Sequence, residues 1–456
     1  MTMLHQTKSV LKFLVPKFIF QAYYYLLAVA GNFIYGNPSE KLIVIGVTGT
    51  NGKSTTVNLI AKILQDNGYK SALTSTVNFK IGERDKLNIY KMTMPGRFFL
   101  ARFLHHAVEE DCKFAVIEAS SEGILQYRNL GIHFDCMVFT NLTPEHIEAH
   151  GGFENYKQAK LKYFEQLQNS PHKIINGQKI AKTIVANADD QHNQGFLNFR
   201  VDNKVTFGQN EQAQVRGTNF KHDENGISFE VEGQKFNLKL KGVFDFYNAL
   251  AAIATAKNYN VDLVNSYQAL ERIENIPGRV ELINEGQNFK IVVDYAPEPE
   301  SLKQLYATVK SWPAFVLPRQ TSAGTSHNKI IHVLGSTGGG RDIARRKILG
   351  KLAGENADVV IVTNEDPYDD DPQQIIHDVA DGAVEAGKII KENLFREPDR
   401  RLAIAKALSK AEKNDLVIVT GKGAEQKMAV SHGRYIDWDD REVVREELKK
   451  LMASQQ

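Results

Sequence analysis

The chain has 456 residues, 42% hydrophobic and 24% charged, with a formal net charge of +2. That length exceeds a single core and implies two or three domains, and the near-balance of charge excludes the basic surface a nucleic-acid binder needs. Cys112 and Cys136 are the only cysteines and lack metal-ligand spacing, so a reduced, cytoplasmic setting is expected rather than a disulfide framework.

In chain order, residues 1–40 form a short apolar element. Its run FIFQAYYYLLAVA (18–30) follows Lys12 and Lys17. The run falls short of the roughly 20 residues of a spanning helix. A helix packed on the protein's own body is expected, with membrane-surface contact through residues 12–35 as the alternative. From Lys41, short β-branched runs alternate with helix-length segments: KLIVIGVTG, KFAVIEAS, CMVFTNL and KTIVANAD. This rhythm predicts an α/β domain with a mainly parallel sheet over 41–278. Within it, 201–241 reads as a small antiparallel insert. A second series, KIVVDYA, KIIHVLGS, DVVIVTNED and DLVIVTGKG, predicts a Rossmann-like α/β domain over 279–456, with 318–329 as a long surface loop.

VIGVTGTNGKSTT (44–56) is a buried strand, a glycine-rich turn and a helix start, which together make an anion cradle. Lys53 is placed to reach terminal phosphates and the Ser54 hydroxyl to ligate Mg²⁺, although the usual phosphate-loop pattern would want glycine at Val47. Glu118 ends a buried strand on the same expected sheet edge and suits a second Mg²⁺ ligand. GSTGGGR (335–341) contains a glycine pattern too weak to claim a dinucleotide site. TNEDPYDDDP (363–372) gathers five carboxylates. By itself it reads equally as a calcium loop, a catalytic acid pair or a recognition loop for a cationic substrate.

T-G-T-N-G-K-S-T is a known variant of the phosphate loop, and from about residue 41 onward the chain resembles the Mur ligase superfamily. The resemblance implies a P-loop central domain and ATP held by Thr48, Gly49, Thr50, Asn51, Gly52, Lys53, Ser54 and Thr55. Asn248, Arg279, Asp294 and Tyr295 would complete that site. TNLTPEHIEAHGG (140–152) places His146 on a second Mg²⁺, and QAK places Lys160 on the lysine that CO₂ converts to a carbamate. Ser54, Glu118, His146 and carbamylated Lys160 are thereby the expected ligands of two ions.

MTMPG (92–96), EASSEGILQYR (118–128) and GKGAE (421–425) resemble the MurE type. They put Thr93, Ser120, Gln126 and Arg128 on the muramoyl dipeptide, and Gly421 and Glu425 on the incoming amino acid; the 335–347 turn resembles the C-terminal-domain turn of Mur ligases and puts Arg341 on ATP or the acceptor. Met94, Glu122 and Pro297 depart from the family pattern. The implied reaction phosphorylates the D-glutamyl γ-carboxylate, and an amine then displaces phosphate after domain closure. A monomer acting on small molecules is expected. Only 40 residues precede the phosphate loop, where the family carries a uridine-holding domain; a lipid-linked muramoyl peptide would fit the apolar segment. Pseudomurein, folyl-polyglutamate and cyanophycin-type ligases are alternatives, as is a non-catalytic ATP-binding subunit.

TNEDPYDDDP aligns with the family loop that recognises the added amino acid. Tyr368 stands where diaminopimelate-adding enzymes place an arginine, with Glu365 and Asp366 alongside. L-lysine is therefore expected ahead of meso-diaminopimelate. Asp369, Asp370 and Asp371 read as a helix-start cluster.

Overall fold

The computed structural model describes residues 17–145, 147–313, 319–321, 324–326, 328–341 and 343–454. They divide into two compact units. The first comprises the chain up to Lys221 with Ile227–Lys239 and Phe244–Glu274, and the second His222–Gly226, Leu240–Val243 and Asn275–Gln456.

The first unit is built on β1 (Ile43–Thr48), β2 (Ser71–Thr74), β3 (Asn78–Ile81), β4 (Arg84–Leu87), β5 (Phe114–Glu118), β6 (Cys136–Phe139), β7 (Thr183–Asn187), β8 (Asn203–Gly208), β9 (Val215–Asp223), β10 (Gly226–Val231) and β11 (Gln234–Leu238). Their spatial order is β11-β10-β9-β8-β7-β6-β1-β5-β2-β3-β4. β1, β5, β6 and β7 are buried along their whole length, as runs of Val, Ile and Phe covered on both faces must be. The helices include α1 (Lys17–Ile34), α2 (Lys53–Asp66), α3 (Arg97–Glu109), α4 (Ser121–Leu125), α5 (Phe153–Asn169) and α6 (Val243–Asn258).

β1 lies between β5 and β6, parallel to both, with Val47 opposite Glu118 and Thr48 opposite Phe139. β1 feeds β2 on one side of the sheet and β6 feeds β7 on the other, so the connections diverge between β1 and β6. In open α/β sheets that switch point opens a crevice at the carboxyl ends of the strands. The register delivers the glycine turn, Glu118 and Thr140 to one edge.

Two expectations need correction. Within 201–241 the expected antiparallel pairing holds for β10 with β11, the strands of GISFEVEG and KFNLKL, but β8 pairs in parallel with β7 and with β9, so the stretch is not a separate insert. It prolongs the central sheet. The period-2 burial of β10 reports which face is covered, not which sheet the strand joins. The 318–329 stretch, expected as a loop, contains a short antiparallel pairing of Arg319–Thr321 with Gly324–Ser326; residues 318, 322, 323 and 327 lie outside the described residues.

The second unit carries β12 (Glu281–Leu282), β13 (Lys290–Asp294), β14 (Ile330–Leu334), β15 (Val359–Val362), β16 (Leu394–Arg396) and β17 (Leu416–Thr420), ordered β12-β13-β17-β14-β15-β16. All neighbours are parallel except β12 with β13. Ile291, Val293, Ile331, Val333, Val417 and Val419 form its core with Ile404, Leu408, Val444 and Leu448 from flanking helices. Its helices include α7 (Pro299–Lys310), α8 (Ala344–Asn356), α9 (Pro372–Glu385), α10 (Arg400–Lys410) and α11 (Asp440–Ala453).

Candidate active site

In the first unit the turn after β1 needs glycine twice. A Cβ on Gly49 (φ 155°) would stand 1.9 Å from Thr140 Oγ1, and one on Gly52 (φ 82°) 2.1 Å from Asn248 Oδ1. The turn is held by residues the sequence reading did not single out. Asn141 accepts Thr50 N–H through its carbonyl (2.8 Å) and Asn51 N–H through its side chain (2.9 Å), so these two amides are engaged. The cradle thus rests on the start of α2, where Gly52 supplies no side-chain cap to the first N–H groups. Lys53 folds over the turn and donates to Gly49 O (3.0 Å) and Thr50 O (2.6 Å). Thr50 Oγ1 lies 3.2 Å from Tyr156 Oη and Thr48 and Thr55 are buried alongside. Asn248 accepts from Thr56 Oγ1 at 3.3 Å and donates to Asp245 at 3.1 Å, so Asp245 orients it.

Ser54 Oγ donates to Glu118 Oε2 at 2.7 Å. The same carboxylate receives Thr76 N–H (2.7 Å) and Thr76 Oγ1 (3.1 Å). These hard oxygens at a strand edge fit a Mg²⁺ ion that takes its remaining ligands from water and phosphate. Among the described residues no group of three or more His, Cys, Asp or Glu assembles. The expected ligand His146 lies outside the described residues.

Lys160, on α5, is fully buried. Its Nζ donates to Gly49 O at 2.7 Å and sits 4.4 Å above the Tyr156 ring. Burial first, then the charge of Lys53, push its pKa well below the usual lysine value, against the opposing pull of Glu145 and Glu118. A lysine-sized side chain is thus buried beside another cation with its amine biased toward the neutral form.

The expected dipeptide residues gather on the same unit. Thr93 Oγ1 lies 2.8 Å from Thr76 Oγ1, joining that threonine to the Glu118 network. Arg128 donates to Met94 O (2.9 Å) and to Gln126 Oε1 (2.7 Å). Ser120 Oγ accepts Gly123 N–H and caps α4, a structural use that the sequence did not announce. Thr76, Asn141 and Tyr156 were missed. The signal available for Thr76 was its place just past β2, at the same carboxyl edge.

In the second unit Asp294 pairs with Thr420 across β13 and β17, which brings Tyr295 and Gly421 to one edge. Thr337 bridges to Asp366 and Gly338 N–H donates to Asp366 O (2.8 Å), so the 335–341 and 363–368 turns meet. Arg279 stacks over the Tyr295 ring at 4.6 Å. Asp294 accepts Val280 N–H at 2.7 Å, and burial raises its pKa. It ties down the Gly278–Val280 turn. Arg341 acts electrostatically on the hydroxyls of both Tyr295 and Tyr368. Tyr368 has φ 52° and its ring lies against Gly339; burial first, then Asp366, push its hydroxyl up to about 12.

Glu365 and Asp366, expected to meet the incoming amino acid, already have partners within the second unit. Both are buried. Asp366 takes Lys422 Nζ on its two oxygens (3.1 and 3.0 Å) and Ala429 N–H at 2.6 Å. Lys422 also binds Glu425 and Lys427 O. Glu365 lies against Gly421, and burial, then Asp366, push it up to about 7. Their cations come from elsewhere in the sequence, Lys422 and the buried Arg345 and Arg400, which no local motif displays. The following aspartates divide: Asp371 caps α9, Asp370 pairs with Arg346 at 3.0 Å, and Asp369 accepts His432 N–H.

Residues 47–256 match the Mur ligase middle domain and 278–423 the Mur ligase glutamate ligase domain. The chain is 34% identical over 429 residues to the UDP-N-acetylmuramoyl-L-alanyl-D-glutamate--2,6-diaminopimelate ligase of Geobacillus kaustophilus, covering 93% of this chain and 82% of that one. It is 36% identical over 428 residues to the UDP-N-acetylmuramyl-tripeptide synthetase of a Roseiflexus species, covering 91% and 80%. Among solved structures, a UDP-N-acetylmuramoyl-L-alanyl-D-glutamate--2,6-diaminopimelate ligase superposes with a TM-score of 0.56 at 27% identity, over 90% of this chain and 79% of that one. The MurF ligase of Thermotoga maritima in complex with ADP shares the fold at a TM-score of 0.63 and 18% identity, over 95% and 85%. The chain belongs to the Mur ligase family, ATP-dependent ligases that form amide bonds.

Proposed function

We propose that the protein adds a diamino acid to the D-glutamyl γ-carboxylate of a muramoyl dipeptide, in the cytoplasmic phase of peptidoglycan synthesis. As a Mur ligase it uses ATP and Mg²⁺. The observation that carries the reading is the edge where Ser54, Glu118, Lys53 and Lys160 surround the turn after β1. Lys53 and the start of α2 neutralise charge on the transferring phosphoryl group, and Mg²⁺ held at Ser54 and Glu118 supplies electrostatic stabilisation there. Arg128, Gln126 and Thr93 hold the dipeptide so that its γ-carboxylate attacks the terminal phosphorus of ATP and ADP leaves. The amine of the acceptor then attacks the acyl phosphate and phosphate leaves.

Lys160 acts as a carbamate. Its buried amine, biased toward the neutral form, adds CO₂ and releases a proton, and the resulting carbamate would offer an anionic oxygen donor to a second Mg²⁺ ion, with His146 as a further ligand. Meso-diaminopimelate now leads L-lysine as acceptor. The pairing of Asp366 with Lys422 removes the argument for a cationic partner, the relatives are named as diaminopimelate ligases, and Arg341 lies in electrostatic range of Tyr368 to serve a second carboxylate. Phosphate release by the purified protein, given ATP, Mg²⁺ and UDP-muramoyl dipeptide with each amino acid in turn, tests the reading. Turnover with meso-diaminopimelate above L-lysine is expected; turnover with neither diamino acid overturns it.

A further inference from the structure

We propose that α1 is a bilayer-surface helix that seats the enzyme on anionic lipid, next to the segment assigned above to the muramoyl dipeptide. Ala28 and Asn32 on one face are buried, Gly31 is backed by Phe98, and Asn32 donates to Leu130 O at 2.7 Å. The Tyr25 ring meets Tyr127 edge-on at 6.2 Å, and Tyr24 acts electrostatically on Arg128. The helix is thus fixed by this face to the dipeptide side of the unit.

The other face is apolar and uncovered among the described residues. Ile19, Tyr23, Leu26, Val29 and Phe33 recur at helical spacing, with Leu26 65% and Phe33 80% exposed. They form one stripe of about 21 Å. No helix among the described residues is long and apolar enough to cross a membrane, so this one would lie along a bilayer, with tyrosines at headgroup depth.

Charge selects the occupant. The sequence carries Lys8, Lys12 and Lys17 before and at the start of the helix, and no Asp or Glu precedes Glu40. A basic, acid-free segment leading into an exposed apolar stripe complements anionic headgroups. It matches less well a second copy of itself, whose lysines would repel.

The test is co-sedimentation of the full chain with vesicles of phosphatidylcholine and phosphatidylglycerol, and with vesicles of phosphatidylcholine alone. Binding to the mixed vesicles is expected, reduced roughly tenfold or more in the double variant L26E/F33E, and reduced also by removal of residues 2–16. Phosphate release by L26E/F33E on the soluble UDP-muramoyl dipeptide should equal that of the parent. A full chain that stays in the supernatant overturns the proposal, as does a double variant that sediments equally well. A dimer that L26E/F33E dissociates would assign the stripe to a second copy, and stronger vesicle binding after removal of residues 2–16 would assign it to that segment. Sedimentation needs no turnover, so failure of the ligase reading would leave this result standing.

Discussion

The carboxyl edges of the two units handle buried charge differently, although elsewhere in the first unit Lys173 and Asp135 form a buried pair too. Around the turn after β1, buried ionisable groups meet hydroxyls, carbonyls and amides: Glu118 meets Ser54 and Thr76, and Lys160 meets a backbone carbonyl. In the second unit the corresponding edge is cross-linked by closed ion pairs, Lys422 with Asp366 and Glu425, Arg345 with Glu298, and Arg400 with Asp440. Under the proposed function, that arrangement leaves the first edge's charges available to metal and phosphate. A buried ion pair broken on one side leaves an uncompensated charge, so these second-unit pairs are structural.

That difference is open to test. Lys160→Ala should lower turnover on the order of a thousandfold with little change in melting, because it removes an amine already pushed toward neutrality. A short carboxylate such as acetate should restore part of the rate; no rescue would sink the carbamate. Glu118→Gln should cost on the order of a hundredfold in kcat/KM and raise the Mg²⁺ concentration for half-maximal rate. An unchanged Mg²⁺ titration would remove Glu118 from the metal.

Lys422→Met should do the reverse, destabilising the second unit by about 3–5 kcal/mol, since it strands the buried Asp366 between Glu365 and Glu425. Thermal melting of this variant beside Lys53→Met, which should melt near the parent, measures the contrast directly.

Glu365 gives a pH signature. Its pKa rises from an ordinary 4.5 to about 7 in the folded chain, so its protonated form stabilises the fold below pH 4.5. That contribution is lost as pH rises through about 7. Glu365→Gln should therefore flatten the fall in stability across this window by on the order of 1–3 kcal/mol. Denaturant melts at pH 5 and pH 8 would show it, and parallel pH slopes for variant and parent would refute the assignment. The smallest effect expected is on specificity. Tyr368→Arg, by adding a bidentate cation, should shift kcat/KM toward meso-diaminopimelate over L-lysine by about tenfold.

The phosphate turn was legible because its chemistry is local. Glycines, a lysine and a serine within eight residues define a backbone shape, and the strand before it is recognisable from its β-branched run. Glu118 was legible for a related reason, as a carboxylate at the end of a buried strand bound to share an edge with β1. The partners of Glu365 and Asp366 were not legible, because a carboxylate's role depends on what it meets in the fold. Lys422 lies 56 residues from Asp366, and nothing in TNEDPYDDDP announces it.

The sequence by itself determined the two α/β series, the phosphate turn, the lysine on α5 and the apolar amino-terminal helix, since each follows from short-range pattern and side-chain chemistry. Only the tertiary structure decided that 201–241 prolongs the central sheet, that Lys160 is buried beside Lys53, that Asp366 is spent on Lys422, and that α1 turns its apolar stripe outward. Strand neighbours, burial and ion-pair partners are set by contacts between distant segments, and they decide whether a charge is available for chemistry or already compensated.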